Sequence, residues 1–377
     1  MSKKKIIYFV TNGFSERDFV RYGLEEFFKR GYCVEVWNFS NFMFKYFSFP
    51  EPYVSSDFIL KNIDTIKTFN ILINLESRDI FVINLLFFNV KTYPIYKKLK
   101  VNGILFCETS LGGMPLCYNS LRKINLNFFK VYNFFFKKIV RFLNIDIKPT
   151  FLIVAGAKVA KSFNHQKLLH AHSRDYDLFL KSKDKLSNTS PKDIIVFLDV
   201  NLVEHSDFEL LNIKNKVTKE NYYRSLKKYF FNLKKSTGKD VVVAAHPRSN
   251  ISELKNSFKG FKIIQNDTLK LVYQSSFVVS HDTTAISFIV LLNKPIQFIT
   301  TDELVNSGDK NTECMADYFD KKVINIDKEF YFDEVEFYKI PYDKYKKYVE
   351  EYIKIKNSKK KLLWDICIDE IEKKGNE

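Results

Sequence analysis

The chain has 377 residues, 46% hydrophobic and 16% aromatic, with only 9 Pro and 11 Gly, a composition that excludes disordered and fibrous proteins and supplies a sizeable core. Two domains of about 150 to 180 residues are expected at this length. Its 60 Lys and Arg against 44 Asp and Glu leave a formal charge of +16. Such a charge attracts nucleic acid, an acidic lipid face or a phosphorylated substrate without choosing among them. Five scattered cysteines without a CxxC pair argue against a zinc site or a disulfide framework, and no stretch reaches the roughly 18 apolar residues of a spanning helix.

The opening "KIIYFV" is a short apolar run suited to a strand buried on both faces. Ser15 and Asp18 then form a capping-box pattern ahead of a helical stretch, "ERDFVRYGLEEFFKRG", in which Phe19, Gly23, Leu24, Phe27 and Phe28 recur at helical spacing. Further strands are expected at "YCVEVWNF", "FNILINL" (69–75), "GILFCET" (103–109) and "TFLIVAG" (150–156), separated by segments long enough to be crossovers. Residues 126–143, "LNFFKVYNFFFKKIVRFL", form one amphipathic helix, readable as packed by Phe onto a sheet with lysines in water, or as an interfacial membrane helix.

A polar stretch at 181–193 has the composition of an interdomain linker, and a second βα series follows. Its strands are expected at 194–199, 240–246, 261–266, 277–281 and 296–300, with helices at 219–235 and 284–292. The chain is therefore expected to be α/β, with two Rossmann-like parallel-sheet domains facing a cleft: residues 1–180 on the acceptor side, 181–335 binding the donor, and a helical tail over 336–377.

Ligands of open parallel sheets bind beyond the carboxyl ends of the strands. "DVVVAAHPR" ends a strand on His246, Pro247 and Arg248, an imidazole and a guanidinium placed to meet a phosphate or carboxylate. "FVVSHDTTAISF" sets Ser280, His281, Asp282, Thr283 and Thr284 between a strand and a helix, a setting for an anion or for plain capping. Asp199 directly follows "IIVFL" and is a candidate nucleophile, general base or capping acid, with His205 and Asp207 shortly after it. In the first half, Asn12, Gly13 and Ser15 form a loop that is not GxGxxG, and Glu108, Thr109 and Ser110 end a strand. His170, His172, Asp175 and Asp177 lack the spacing of a metal set, and a hinge bonding across the cleft is expected there.

The order of these motifs, with "NKPI" after the second helix, resembles bacterial sialyltransferases and Kdo transferases. "SERDFVRYG", "HSRDYD" and "LDVNLVEHSDF" resemble more closely the retaining β-Kdo transferases of bacterial surface polysaccharide assembly, over roughly residues 4–300. The resemblance implies a glycosyltransferase-B fold and transfer of Kdo or a related acidic sugar from its CMP-activated form to a polysaccharide, such as lipopolysaccharide or capsule, or to a glycolipid acceptor. His246 and Pro247 would line the CMP site, with Arg248 near the donor carboxylate, and Thr283 and Thr284 would bind the CMP phosphate beside Ser280. Asp199 would form a covalent sugar adduct and give retention, since "FLDVN" lacks the sialyltransferase acid motif. No metal or resident cofactor is implied, nor nucleic acid. A cytoplasmic protein, peripheral to the inner face of a bacterial membrane, is expected. Rival readings are a transferase of the same fold using a sialyl, CDP or UDP donor, and a nucleic-acid-binding protein.

Overall fold

The apolar runs form two all-parallel sheets in the computed structural model of the protein, which describes residues 4–47, 49–76, 79–115, 128–142, 145, 147–163, 166–203, 215, 217–308, 310–329 and 331–374. The first sheet contains β1 (Lys5–Val10), β2 (Cys33–Asn38), β3 (Ile59–Asn62), β4 (Ile80–Asn84), β5 (Leu105–Ser110), β6 (Phe151–Ala155) and β7 (Leu168–Ala171), in the order β3-β2-β1-β4-β5-β6-β7. The second contains β8 (Ile194–Leu198), β9 (Asp240–Ala245), β10 (Lys262–Gln265), β11 (Ser275–Ser280), β12 (Ile296–Thr300) and β13 (Val323–Asn325), in the order β10-β9-β8-β11-β12-β13. Strand order reverses at β1/β4 and at β8/β11, the topology of the Rossmann fold.

Near-continuous apolar strands follow from helices covering both faces of each sheet. Ile6, Tyr8 and Val10 of β1 join one buried cluster while Ile7 and Phe9 join another, as the two-residue side-chain period requires. In the second sheet Ile195, Phe197, Val241, Val243, Phe277 and Val279 pack against Tyr222, Leu226, Tyr229 and Phe230 of the helix Lys219–Thr237.

The chain divides into two compact units. One comprises Met1–Leu111, Ile124–Arg174 and Lys356–Glu377; the other comprises Gly112–Lys123 and Asp175–Ile355. The crossing at Arg174/Asp175 falls at the start of a helix, Arg174–Ser187, which occupies much of the expected 181–193 linker. The tail is also divided: Tyr342–Tyr348 and the π-turn Val349–Ile353 belong to the second unit, and the helix Leu363–Lys374 belongs to the first.

Two further elements differ from expectation. Residues 69–75 are not a strand but the end of a helix, Ile66–Leu75, capped by the Thr65 side chain and burying Phe69 and Ile73 one turn apart. A seven-residue apolar run fits either period, and here the cap and the i, i+4 spacing decide. The helical stretch 16–31 breaks into Glu16–Arg21, with its Ser15/Asp18 capping box intact, and Leu24–Lys29, because Gly23 adopts φ +63° between them. Among the cysteines, Cys33, Cys107 and Cys367 are free thiols, whereas Cys314 is disulfide-bonded.

Candidate functional site

Register aligns three strand ends in the second unit. Leu198 of β8 pairs with Ala244 of β9 on one side and Ser280 of β11 on the other. Asp199, His246 and His281 consequently emerge at adjacent carboxyl ends, on either side of the β8/β11 reversal. With strands about 4.8 Å apart, β9 and β11 are separated by roughly 10 Å, a span comparable to a phosphate with its attached sugar.

Asp199 is not the open carboxylate expected of a strand-end nucleophile: it is 6% exposed. Oδ2 accepts hydrogen bonds from the His246 N–H (3.1 Å) and the Ser249 hydroxyl (2.9 Å), and Oδ1 accepts from the Asn201 N–H (3.0 Å). Burial raises its pKa above the ordinary aspartate value, outweighing these bonds, which stabilise the charged form. The carboxylate therefore braces the turn that follows β9 to the end of β8.

That turn is held from its other side by Gln265 at the end of β10, whose Nε2 donates to the carbonyls of His246 and Ser249 (3.0 Å each). Pro247 fixes one φ within it. The His246 ring is oriented by the Arg248 N–H, which donates to Nδ1 at 3.2 Å. A neutral imidazole accepting at Nδ1 carries its proton on Nε2, so the half-buried ring has a donor at its far edge. Arg248 is exposed. A rigid, braced turn thus carries one imidazole donor and one guanidinium.

Beyond β11 the expected residues separate. Ser280 is fully buried and its hydroxyl meets no partner among the described residues, so it does not join the exposed groups. Thr283 and Thr284 are half-buried and exposed, respectively. They do not cap the following helix, Ile286–Leu291, whose N-cap is Ala285; the Thr283 hydroxyl instead accepts from the Ala285 N–H at 3.3 Å. Asp282 is bridged to Thr312, whose hydroxyl donates to Oδ1 at 2.9 Å.

His281 lies 2% exposed behind this loop, its Nε2 3.0 Å from the Tyr222 hydroxyl. Burial lowers its pKa from 6.5 to about 4, so it is neutral at pH 7 and supports the loop from inside. A depressed folded-state value contributes stability that is present above pH 6.5 and lost as the pH falls toward 4. The loss is expected to reach about 3 kcal/mol, and denaturant titrations followed by circular dichroism in that window should show it. His281→Phe should flatten the slope. Asp199 acts in the opposite sense, its raised value favouring the folded state as pH falls through it, so the slope remaining in the variant belongs partly to Asp199.

The first-half candidates lie in the other unit. Ser15 serves as a helix cap. Glu108 accepts from the Tyr96 hydroxyl, and Asn84 Nδ2 approaches it at 3.5 Å. Thr109 lies 3.4 Å from the Arg174 guanidinium, which packs over the Tyr22 ring. His172 is fully buried with both ring nitrogens facing backbone carbonyls, Ser173 at 3.1 Å and Lys361 at 2.9 Å. It therefore ties the chain to the C-terminal segment of its own unit. Asp177 pairs with Lys181 at 3.5 Å. Among the described residues no group of three or more His, Cys, Asp or Glu is placed to hold a metal ion. His205 and Asp207 lie outside the described residues.

Sequence reasoning missed Asn201, Ser249, Gln265, Tyr222 and Thr312. Ser249 stands in the same "HPRSN" run and Asn201 two residues after Asp199, and the other three come from separate elements that only the folded sheet gathers.

No protein-family model matches the chain, and no curated protein matches it significantly. Among solved structures it is similar to the wall teichoic acid polymerase TagF: 12% identity and TM-score 0.54, covering 98% of this chain and 90% of the other. A variant of the same polymerase gives 11% and 0.55 over 99% and 90%, and another soaked with CDPG gives 12% and 0.53 over 98% and 89%. At such identity the likeness concerns the fold, two Rossmann-like domains of the glycosyltransferase-B type.

Proposed function

We propose that the chain is a glycosyltransferase whose donor is a cytidine-activated acidic sugar of the CMP-Kdo type and whose acceptor is a surface polysaccharide or a glycolipid. The observation that carries this reading is the braced His246-Pro247-Arg248 turn beside the β8/β11 reversal of a Rossmann-like domain, the place where this fold takes nucleotides. Arg248 supplies a bidentate cation for the phosphate or the sugar carboxylate, and the His246 Nε2–H a neutral donor. Thr283 and Thr284 contribute hydroxyls from the opposite strand end.

In the reaction the bond between the anomeric carbon and the CMP phosphate oxygen breaks and its electron pair leaves with CMP. The acceptor oxygen forms the new bond and loses its proton. Groups fixed before the charge develops stabilise the departing phosphate without reorganising, which is the larger part of such catalysis. The braced turn meets this requirement, and Asp199 acts in this reading as a positioning residue. Attack by Asp199 itself, with two displacements and retention, would require Oδ2 to leave Ser249 and His246.

Release of CMP from CMP-Kdo tests the reading. Wild type is expected to release it, and Arg248→Ala to lower kcat/KM by about 30- to 150-fold, the effect of one charge-assisted contact of about 2–3 kcal/mol. His246→Ala should cost a similar factor. No release from CMP-Kdo, or release unaffected in both variants, would overturn the proposal. The fold shared with a teichoic acid polymerase, one of whose structures is a CDPG soak, favours a second reading with a CDP-linked donor. Release of CMP from such a donor alone would select it.

A further inference from the structure

The helix Phe128–Phe142 bears two apolar faces where a helix packed only on a core needs one. Asn133, Phe136 and Val140 fall within about 60° of arc at 100° per residue, and they face the first unit. The Val90 N–H donates to Asn133 Oδ1 at 3.0 Å, Phe136 packs 5.4 Å from Tyr93 and 6.2 Å from Phe88, and Val140 is 1% exposed. Tyr132, Phe135, Ile139 and Phe142 fall within about 80° on another side. These four are 50%, 56%, 54% and 89% exposed. Phe134, 56% exposed, flanks them with the Lys138 ammonium 4.6 Å from its ring centre.

Charge selects the occupant. Between Thr109 and Ile145 the sequence contains no Asp or Glu, but it contains Arg122, Lys123, Lys130, Lys137, Lys138 and Arg141. No helix among the described residues is long and apolar enough to cross a membrane. An aromatic stripe on a short helix within a purely basic segment is the composition of a helix lying in a lipid interface. We infer that the Tyr132, Phe135, Ile139 and Phe142 stripe seats the protein on an anionic bilayer. The inner face stays docked on the first unit and the outer one enters the headgroup layer.

This inference rests on the helix and not on the transferase reading. The test is flotation of the full chain with extruded vesicles of 30:70 phosphatidylglycerol:phosphatidylcholine, composition chosen at about physiological anionic content. Wild type should float with these vesicles, less with phosphatidylcholine alone, and less as salt rises. The triple variant Phe135→Ser/Ile139→Ser/Phe142→Ser, whose sites are solvent-facing, should keep the wild-type melting profile and bind at least about 50-fold more weakly. Lys138→Glu should weaken binding several-fold. The same triple variant should release CMP from donor at the wild-type rate without vesicles, so failure of one reading is distinguishable from failure of the other. Wild type remaining unbound, or a triple variant that floats as wild type does, would sink the inference. So would stripe-dependent dimerisation by light scattering, or stripe-dependent RNA binding, in place of vesicle binding.

Discussion

Asp199→Ala is expected to lower donor turnover by about a hundredfold or more and to destabilise the second unit by about 3 kcal/mol. The reason is the set of donors aimed at one carboxylate: the N–H groups of His246 and Asn201 and the Ser249 hydroxyl. Each buried donor left without an acceptor costs about 1–3 kcal/mol. The sum is moderated because the charged carboxylate is itself unfavourable in its site, as its raised pKa indicates. The effect on turnover follows from the turn losing its anchor, since a displacement of about 1 Å in a reacting group costs about a hundredfold. Ser249→Ala, which removes one of the three bonds and no charge, should show about a tenfold loss, chiefly in kcat, with His246 and Arg248 intact. Intact-protein mass spectrometry after incubation with CMP-Kdo separates the two possible roles. A positioning carboxylate leaves no sugar adduct on wild type. An adduct absent from Asp199→Asn would make it the nucleophile.

Gly23→Ala is expected to destabilise the first unit by about 3 kcal/mol. A Cβ at this position would lie 2.1 Å from Trp364 Cδ1 and 2.4 Å from Cγ, far inside contact distance. The ring cannot simply move aside. Trp364 is 1% exposed, its Nε1 donates to the Arg21 carbonyl at 3.0 Å, and it packs edge-on against Tyr8 at 5.9 Å. The positive φ adds strain of about 1 kcal/mol, and overpacking a dense core adds about 1–3 kcal/mol. Gly31→Ala, also at positive φ (+80°) but with open space where its Cβ would lie, provides the control, expected near 1 kcal/mol. Trp37 and Trp364 are the two tryptophans of the chain and both belong to the first unit, so urea unfolding followed by tryptophan fluorescence reports this unit alone. Combining Gly23→Ala with Trp364→Leu should cost less than the two single losses together, because the smaller side chain relieves the overlap. Strict additivity would refute a steric origin.

Local chemistry alone determined much of this protein. Short runs dominated by apolar residues marked β1, β2, β6, β8, β9, β11 and β12, because a strand covered on both faces is mostly apolar. The same logic placed His246, Arg248, Thr283 and Thr284 beyond the carboxyl ends of their strands. Tertiary structure alone decided the rest. Residues 69–75 satisfied both periods until the Thr65 cap and the burial of Phe69 and Ile73 selected a helix. The break at Gly23 depends on Trp364, whose partner Arg21 lies 343 residues away along the chain, and the polar composition of 181–187 gave no sign that it would continue a helix. Asp199 shows the limit most clearly. Its position at a strand end was legible, but its closure by Ser249, Asn201 and the His246 backbone was not, since hydrogen-bond partners and burial are properties of the assembled sheet. A strand's composition reports which faces are covered, and the burial of a carboxylate depends on which loops fold back over it.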